Sequence, residues 1–261
     1  MTGPIRVGVF GAGGRMGRLV CATIANDPET ELVCAVDPNA VDDVVEGMTI
    51  AREAHALADA GVEVAVDFTV VDAARVNAAW CATHSVHAVI GTSGFSDADV
   101  AELSRLFAPE GGPNCIVVAN FAVGAVLMAH VAAQVSPFFD TVEIIESHHD
   151  GKADAPSGTA IDTAQRIAAV SSDWAPDPTT IEHVAGARGA KGAGGIPIHA
   201  VRMRGMVASQ EVVFGTTGQT LSLRHDTFDR TSFMPGVLLA VKAVQGRPGV
   251  TVGLEPLLGL I

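Results

Sequence analysis

Residues 5 to 17, IRVGVFGAGGRMG, constrain the fold more than any other stretch of the chain. An apolar strand, IRVGVF, runs into a glycine turn, and helical spacing follows from about Arg15 to Ile24. The glycines fall at 11, 14 and 17, with Gly13 in addition, so the spacing is GxxGxxG rather than GxGxxG. Without Cβ atoms they let the backbone approach a pyrophosphate, and the open N–H groups of the helix N-terminus face it. Glycine turns before helices are common; the position of this one after the first strand ties it to dinucleotide binding.

A second strand, ELVCAVD, ends at Asp37, where an acid accepts from adenosine ribose hydroxyls. Asp37 favours NAD, and Pro38 after it cannot pair with a 2′-phosphate, so NADP use would rest on Arg15 or Arg18. The plainer alternative is an Asp-Pro-Asn turn at a strand end. Further units follow: a strand over 63 to 69 and a helix from about Asp72, a strand over 87 to 94 and a helix from about Ser96, and a strand over 115 to 121 and an apolar helix from Val123 to Phe138. Apolar strands alternating with helices predict an α/β, Rossmann-type, doubly wound parallel sheet. Ligands bind off the C-terminal strand ends of such sheets. Those ends carry Phe68 and Thr69, then Gly91, Thr92 and Ser93, then Ala119, Asn120 and Phe121, which are expected along the ribose and nicotinamide unless they are ordinary turns.

The densest cluster of chemistry lies from Glu143 to Ala160, EIIESHHDGKADAPSGTA. EII has high β-propensity and predicts a short strand that runs out of pattern at Glu146. Ala160, Ile161, Ala164, Ile167 and Ala168 have helical spacing; Pro156 suits the first turn, and Ser157 or Thr159 can accept from the first backbone N–H groups. A helix N-terminus beside Lys152 and two imidazoles suits a carboxylate-bearing ligand. Adjacent histidines on a strand end point to opposite sides, so one or both can be surface groups. Zinc fits poorly, because neither HExxH nor CxxC is present. Acid/base chemistry fits better: histidine titrates near working pH, and Lys152 can anchor charge or donate a proton.

Residues 183 to 195, HVAGARGAKGAGG, read as a mobile lid carrying Arg188 and Lys191, or as a flexible linker. Three strands expected to be antiparallel follow, IPIHAVRMR, ASQEVVFG and GQTLSLRHD, with a Thr-Thr-Gly turn at 216 to 218. This departure from alternation predicts a smaller α+β domain with a mostly antiparallel sheet, one face of which is free for a subunit interface. A last helix from about Ser232 to Gln245 and the tail GLEPLLGLI return to the first domain. The expected boundaries are 1–121 with 233–261 for dinucleotide binding, and 122–232 for substrate binding and oligomerisation.

The net charge of −13 argues against a nucleic-acid partner, so an anionic ligand must be held by local cations, candidates being Arg15, Arg18, Lys152, Arg188, Lys191 and Arg202. No apolar run reaches the roughly 18 residues of a membrane span, and MTGPIRVGVFGAGG leads straight into a strand without a basic-then-apolar signal, so the expected location is the cytoplasm. Cys21, Cys34, Cys81 and Cys115 are far apart in apolar segments and are expected as buried, reduced thiols.

Over nearly its full length the chain resembles the 4-hydroxy-tetrahydrodipicolinate reductases, also called dihydrodipicolinate reductases. GAGGRMG, DFT, GTSGF, ANFAVG and ESHHDGKADAPSGTA occur in that family's order, and the last is highly specific. The resemblance implies reduction of 4-hydroxy-tetrahydrodipicolinate to tetrahydrodipicolinate by NADH or NADPH, with loss of water, in diaminopimelate and lysine biosynthesis. It implies that His148 is the general acid/base and Lys152 a proton donor, and that His149, Gly158 and Thr159 hold the carboxylates of a small dicarboxylate substrate. Gly11, Ala12, Gly13, Gly14, Arg15, Met16, Asp37, Gly91, Thr92, Ser93, Val118, Ala119, Asn120 and Phe121 are implied to line the cofactor, with no metal, in a homotetramer. Pro38 stands where many relatives carry Arg, which speaks against a strong NADP preference, and Lys191 stands where a lid Arg is usual. Other two-domain dehydrogenases of amino-acid metabolism ask for a nucleophilic Cys or a different Lys/Asp pair, and Cys115 in an apolar strand is a poor nucleophile. A non-catalytic nucleotide sensor would have no need of His148 and Lys152 beside a PSGT helix start.

Overall fold

The computed structural model describes residues 3–108 and 111–261. Met1 and Thr2, the first letters of the opening read above as leading into a strand, lie outside the described residues, as do Pro109 and Glu110 of the expected first domain. Two compact units are present, one of residues up to Phe121 together with Phe233–Ile261, the other Ala122–Ser232.

The first unit begins with β1 (Ile5–Phe10), α1 (Arg15–Asn26) and β2 (Thr30–Val36). A short β3–β4 hairpin (Val44–Val45 and Met48–Thr49) and α2 (His55–Asp59) precede β5 (Val64–Asp67). Then come α3 (Val71–Thr83), β6 (His87–Ile90), α4 (Asp97–Leu106) and β7 (Cys115–Val117). α1 buries Gly17, Val20, Cys21 and Ile24, an i, i+3, i+4, i+7 stripe. α4 starts with a capping box in which the Ser96 hydroxyl accepts from the Asp99 amide and the Asp99 carboxylate accepts from the Ser96 amide.

In the second unit, α5 (Val123–Val135) leads to β8 (Thr141–His148) and α6 (Gly158–Val170). β9 (Ala190–Lys191), β10 (Pro197–Arg202), β11 (Ala208–Thr216) and β12 (Gln219–Thr227) complete it. The chain returns to the first unit through α7 (Met234–Ala243) and β13 (Val250–Val252).

Among the described residues the first unit's main sheet is wholly parallel, in the order β13-β7-β6-β5-β1-β2. β1 is flanked by β2 on one side and β5 on the other, so the winding reverses there, and the crevice at its carboxyl end is where such sheets bind ligands. β13 adds an edge strand in the stretch between the expected last helix and the tail, which sequence reading left unassigned. All four residues of β5 are buried, and the core of β6, Phe10, Leu57, Ile90 and Phe107 is 3% exposed or less. Each such large side chain contributes about 1.5–3 kcal/mol by leaving water.

The second sheet runs β12-β11-β8-β10-β9. It is mostly antiparallel, with one departure from expectation: β10 does not pair with β11. It lies parallel to β8, which sits between them, while β11 pairs antiparallel with β8 and β12. The reason is core pairing: Ile144 of β8 stands opposite both Ile198 and Val212, and Val142 opposite Phe214. The β11–β12 turn falls at Thr216 to Gly218 as expected, with Gly218 at φ +81°. α5 and α6 cover the face carrying Val142, Ile144, Ile198, Val212 and Phe214.

β8 is also longer than the expected EII strand and runs to His148. Side chains alternate along a strand, so Val142, Ile144, Glu146 and His148 share one face. Glu146 thus occupies a core-facing position and is 0% exposed.

Candidate active site

Chemistry-bearing residues gather at one place in each unit. In the first, the β1–α1 turn is tied to the end of β2 by the Gly11 and Ala12 amides, both of which donate to the Val36 carbonyl. Gly11 has φ +74°, a conformation that side chains disfavour. A Cβ on Gly17 would stand 1.9 Å from the Gly11 carbonyl oxygen, so only glycine lets α1 approach the turn this closely. The first intrahelical bond runs from Arg18 N to Gly14 O, which leaves the Arg15, Met16 and Gly17 amides pointing out of the helix N-terminus.

Asp37 lies just beyond β2 and is 8% exposed. Its Oδ2 accepts from Gly13 N at 3.1 Å and its Oδ1 from Asn39 N at 2.9 Å, so it closes the Asp-Pro-Asn turn and holds the glycine loop at once. Arg18 is committed elsewhere: it donates to the Gly13 carbonyl at 3.1 Å, the Val44 carbonyl at 3.2 Å and the Asp43 carboxylate at 2.7 Å. Arg15 is exposed.

Gly91, Thr92, Ser93, Val118, Ala119, Asn120 and Phe121 follow the ends of β6 and β7 in this unit. Ala12, Val118 and Phe121 are buried. The Phe68 and Phe121 rings lie 5.6 Å apart.

Sequence reading missed the residue that ties the ends of β5 and β6. Asp67, 4% exposed, accepts from Thr69 N at 2.8 Å, Thr69 Oγ1 at 2.7 Å, Thr92 Oγ1 at 3.2 Å and Asn77 Nδ2 at 2.8 Å. Its only sequence signal was an acid ending an otherwise apolar strand.

In the second unit, β8, the loop after it and the start of α6 assemble the other cluster. Ser157 caps α6, its hydroxyl accepting from Ala160 N at 3.3 Å; Pro156 precedes the cap instead of sitting in the first turn. The helix geometry leaves the Gly158 amide without an intrahelical acceptor. Thr159 follows in the same turn, half-buried, and Gly158 is exposed. His148 is half-buried and His149 exposed, so the adjacent imidazoles diverge. Lys152 Nζ contacts both Asp154 carboxylate oxygens, at 2.8 and 2.9 Å.

Beneath them lies Glu146, the second residue that was missed. Its Oε2 is 2.6 Å from His148 Nδ1 and accepts from Arg202 at 2.8 Å; its Oε1 accepts from Arg202 at 2.9 Å and from Ser157 N at 3.0 Å. Burial pushes the Glu146 carboxyl up, but Arg202, His148 and the Ser157 amide outweigh it and hold the group below its ordinary value. Burial likewise pushes the His148 imidazole down; Glu146 opposes this, Lys152 and Arg202 add to it, and the net shift is downward.

Arg188 and Lys191 do not join this cluster. Arg188 pairs with Glu143 and with Asp177 (3.3 Å), and Lys191 lies 3.5 Å from Asp177. Glu143 is five residues before His148 on β8, about 16 Å away along an extended strand. Residues 190–191 also pair with the start of β10, which corrects the expectation of a free lid. The four cysteines are buried and unbridged, and burial raises every thiol pKa.

A doubly wound nucleotide-binding unit joined to an α+β unit with a buried carboxylate–imidazole pair defines the class of two-domain Rossmann-type oxidoreductases. Residues 5–121 match the family model described as Dihydrodipicolinate reductase, N-terminus, and residues 124–258 the one described as Dihydrodipicolinate reductase, C-terminus. The chain belongs to the dihydrodipicolinate reductase family. It is 49% identical to the 4-hydroxy-tetrahydrodipicolinate reductase of Thermobifida fusca over 98% of this chain and 100% of that one. The enzyme of the same name from Mycobacterium marinum is 45% identical over the same shares. Among solved structures, the dipicolinate-bound dihydrodipicolinate reductase from Paenisporosarcina sp. TG-14 matches with a TM-score of 0.87 and 38% identity, covering 97% of this chain and 99% of that one.

Proposed function

We propose that this chain reduces 4-hydroxy-tetrahydrodipicolinate to tetrahydrodipicolinate with release of water, the step its named relatives serve in diaminopimelate and lysine biosynthesis. The observation that carries this reading is the Glu146–His148 pair beside Lys152 and the α6 N-terminus, an acid/base group set among anion-binding donors.

The glycine turn fits a nicotinamide dinucleotide: its backbone is open where a pyrophosphate would approach, and three helix N-terminal amides point outward. Gly11, Ala12, Gly13, Gly14, Arg15 and Met16 would hold the diphosphate and Asp37 the adenosine ribose. Gly91, Thr92, Ser93, Val118, Ala119, Asn120 and Phe121 would border the rest. The bound reduced nicotinamide supplies the hydride. Both NADH and NADPH serve, with NADH favoured, because Arg18 is engaged by Asp43 and Pro38 offers no charge, leaving exposed Arg15 for a 2′-phosphate.

The ring loses its 4-hydroxyl as water, gains one hydride, and must then receive one proton at carbon. His148 Nε2 and Lys152 Nζ are the groups that carry protons here. Lys152, His149 and the Gly158–Thr159 turn hold the two carboxylates through an ammonium, an imidazole and helix N-terminal donors. The enzyme acts in the cytoplasm as a homotetramer; in support, the sheet face with Ile145, Val201 and Val213 lies on the opposite side from α5 and α6.

The test is the fall in nicotinamide absorbance when the protein meets NADH and the condensation product of pyruvate and aspartate semialdehyde. Turnover that depends on that product, and falls roughly 100-fold or more in His148→Gln, supports the reading. Absence of turnover, or a variant as fast as the parent, refutes it.

A further inference from the structure

We infer that Glu146 is a positioning residue that fixes which nitrogen of His148 carries the proton used in the reaction, an inference that rests on the proton-carrying role proposed for His148. The geometry constrains Glu146 tightly. Three donors converge on its two oxygens, two guanidinium nitrogens of Arg202 from β10 and the Ser157 amide at the start of α6, and His148 Nδ1 from the same face of β8 lies 2.6 Å from Oε2. The two guanidinium bonds of Arg202, with the Ser157 amide, hold the carboxyl in its ionised form against the cost of burial.

An ionised carboxylate only accepts. The nitrogen of His148 that faces it must therefore carry a hydrogen, which fixes the neutral ring in its Nδ1–H tautomer and leaves the Nε2 lone pair as the basic site. A free imidazole side chain favours the opposite tautomer. When the ring gains a proton it gains it at Nε2, the nitrogen turned away from Glu146. The carboxylate thus does two things at once: it aims the exchangeable proton and stabilises the cation that carries it. Arg202 keeps Glu146 from drifting, and its second contact, to the Asp154 carbonyl at 2.6 Å, ties the same unit to the far end of the His–Lys loop.

The charged groups facing the imidazole are Glu146 on its own strand, Lys152 in the loop and Arg202 on β10, with Asp154 bound to Lys152. β11 places Ala208 opposite His148 and adds no titratable group there. Glu146 is the anion in contact with the ring, so its removal has a predictable sign: the cation loses support and the imidazole titrates at lower pH.

The experiment is nitrogen NMR on the full-length protein with labelled histidine, the His148 signals being assigned by their loss in His148→Gln. In the parent protein, above the His148 titration, Nδ1 should carry the hydrogen. In Glu146→Gln the titration midpoint should move to lower pH, the kcat/KM limb should move with it, and kcat should fall at least about tenfold. Glu146→Gln should cost nothing further in a His148→Gln background, because it acts through that ring. An Nε2–H tautomer in the parent overturns the inference, and that reading needs no variant to fold. An unmoved midpoint, or an equal loss with and without His148, overturns it as well. If His148→Gln keeps full turnover, the proposed function fails while the tautomer measurement stands or falls by itself.

Discussion

The ammonium of Lys152 is 2.8 and 2.9 Å from the two oxygens of Asp154, two residues further along the loop. The pairing holds the Asp154 carboxyl below its ordinary range. In the proposed function a substrate carboxylate must share or replace that partner. Asp154→Asn removes the competing charge and should tighten binding of pyridine-2,6-dicarboxylate several-fold by calorimetry, whereas Lys152→Ala should weaken it. Equal affinities in all three proteins would remove Lys152 from anion binding.

Asp67 links Thr69, Thr92 and Asn77 at the carboxyl ends of β5 and β6. Asp67→Ala leaves buried donors without acceptors and should destabilise the fold by about 1–3 kcal/mol in denaturant unfolding. Because both strand-end loops lose their tie, NADH affinity measured by fluorescence should also fall about tenfold, equivalent to about 1.4 kcal/mol. An altered stability with unchanged affinity would confine Asp67 to folding.

Gly17→Ala forces a methyl group into the Gly11 carbonyl and should push α1 away from the turn. NADH binding should be lost to titration at concentrations that saturate the parent, with dicarboxylate binding retained. A variant that binds NADH normally would contradict the assignment of this loop.

Burial lowers the His148 imidazole against the pull of Glu146. An acid works only while protonated, so kcat/KM should decline as pH rises through a midpoint below the ordinary imidazole value of about 6.5. A plateau running to alkaline pH would point to Lys152 as the sole proton source.

The thiols of Cys21 and Cys34 are pushed up to about 12 and about 11, and those of Cys81 and Cys115 are also raised, by burial in each case. A disulfide-exchange reagent should leave the native protein unmodified and titrate its cysteines only on denaturation. Rapid labelling of the folded protein would contradict their burial.

Much of the Rossmann half was legible because the central residues of β1, β2, β5 and β6 are buried and read as short apolar runs. Val250–Val252 was not, since three residues at a sheet edge carry no periodicity. In the second unit the strands were visible but their pairing was not: sequence neighbours suggest hairpins, whereas β8 inserts between β10 and β11 through contacts formed only in three dimensions. The two missed carboxylates share one cause. A charged residue on a core-facing position breaks the hydrophobic pattern, so Glu146 read as the end of a strand and Asp67 passed without a role inside the expected strand over 63 to 69. Their partners, Arg202 and Thr92, lie 56 and 25 residues away.

The most direct test of the account is a crystal structure of the protein with pyridine-2,6-dicarboxylate. One carboxylate should lie within hydrogen-bonding distance, about 2.7–3.2 Å, of Lys152 Nζ or the Gly158–Thr159 amides, with His148 Nε2 against the ring. A ring bound away from β8 and the α6 N-terminus would contradict it.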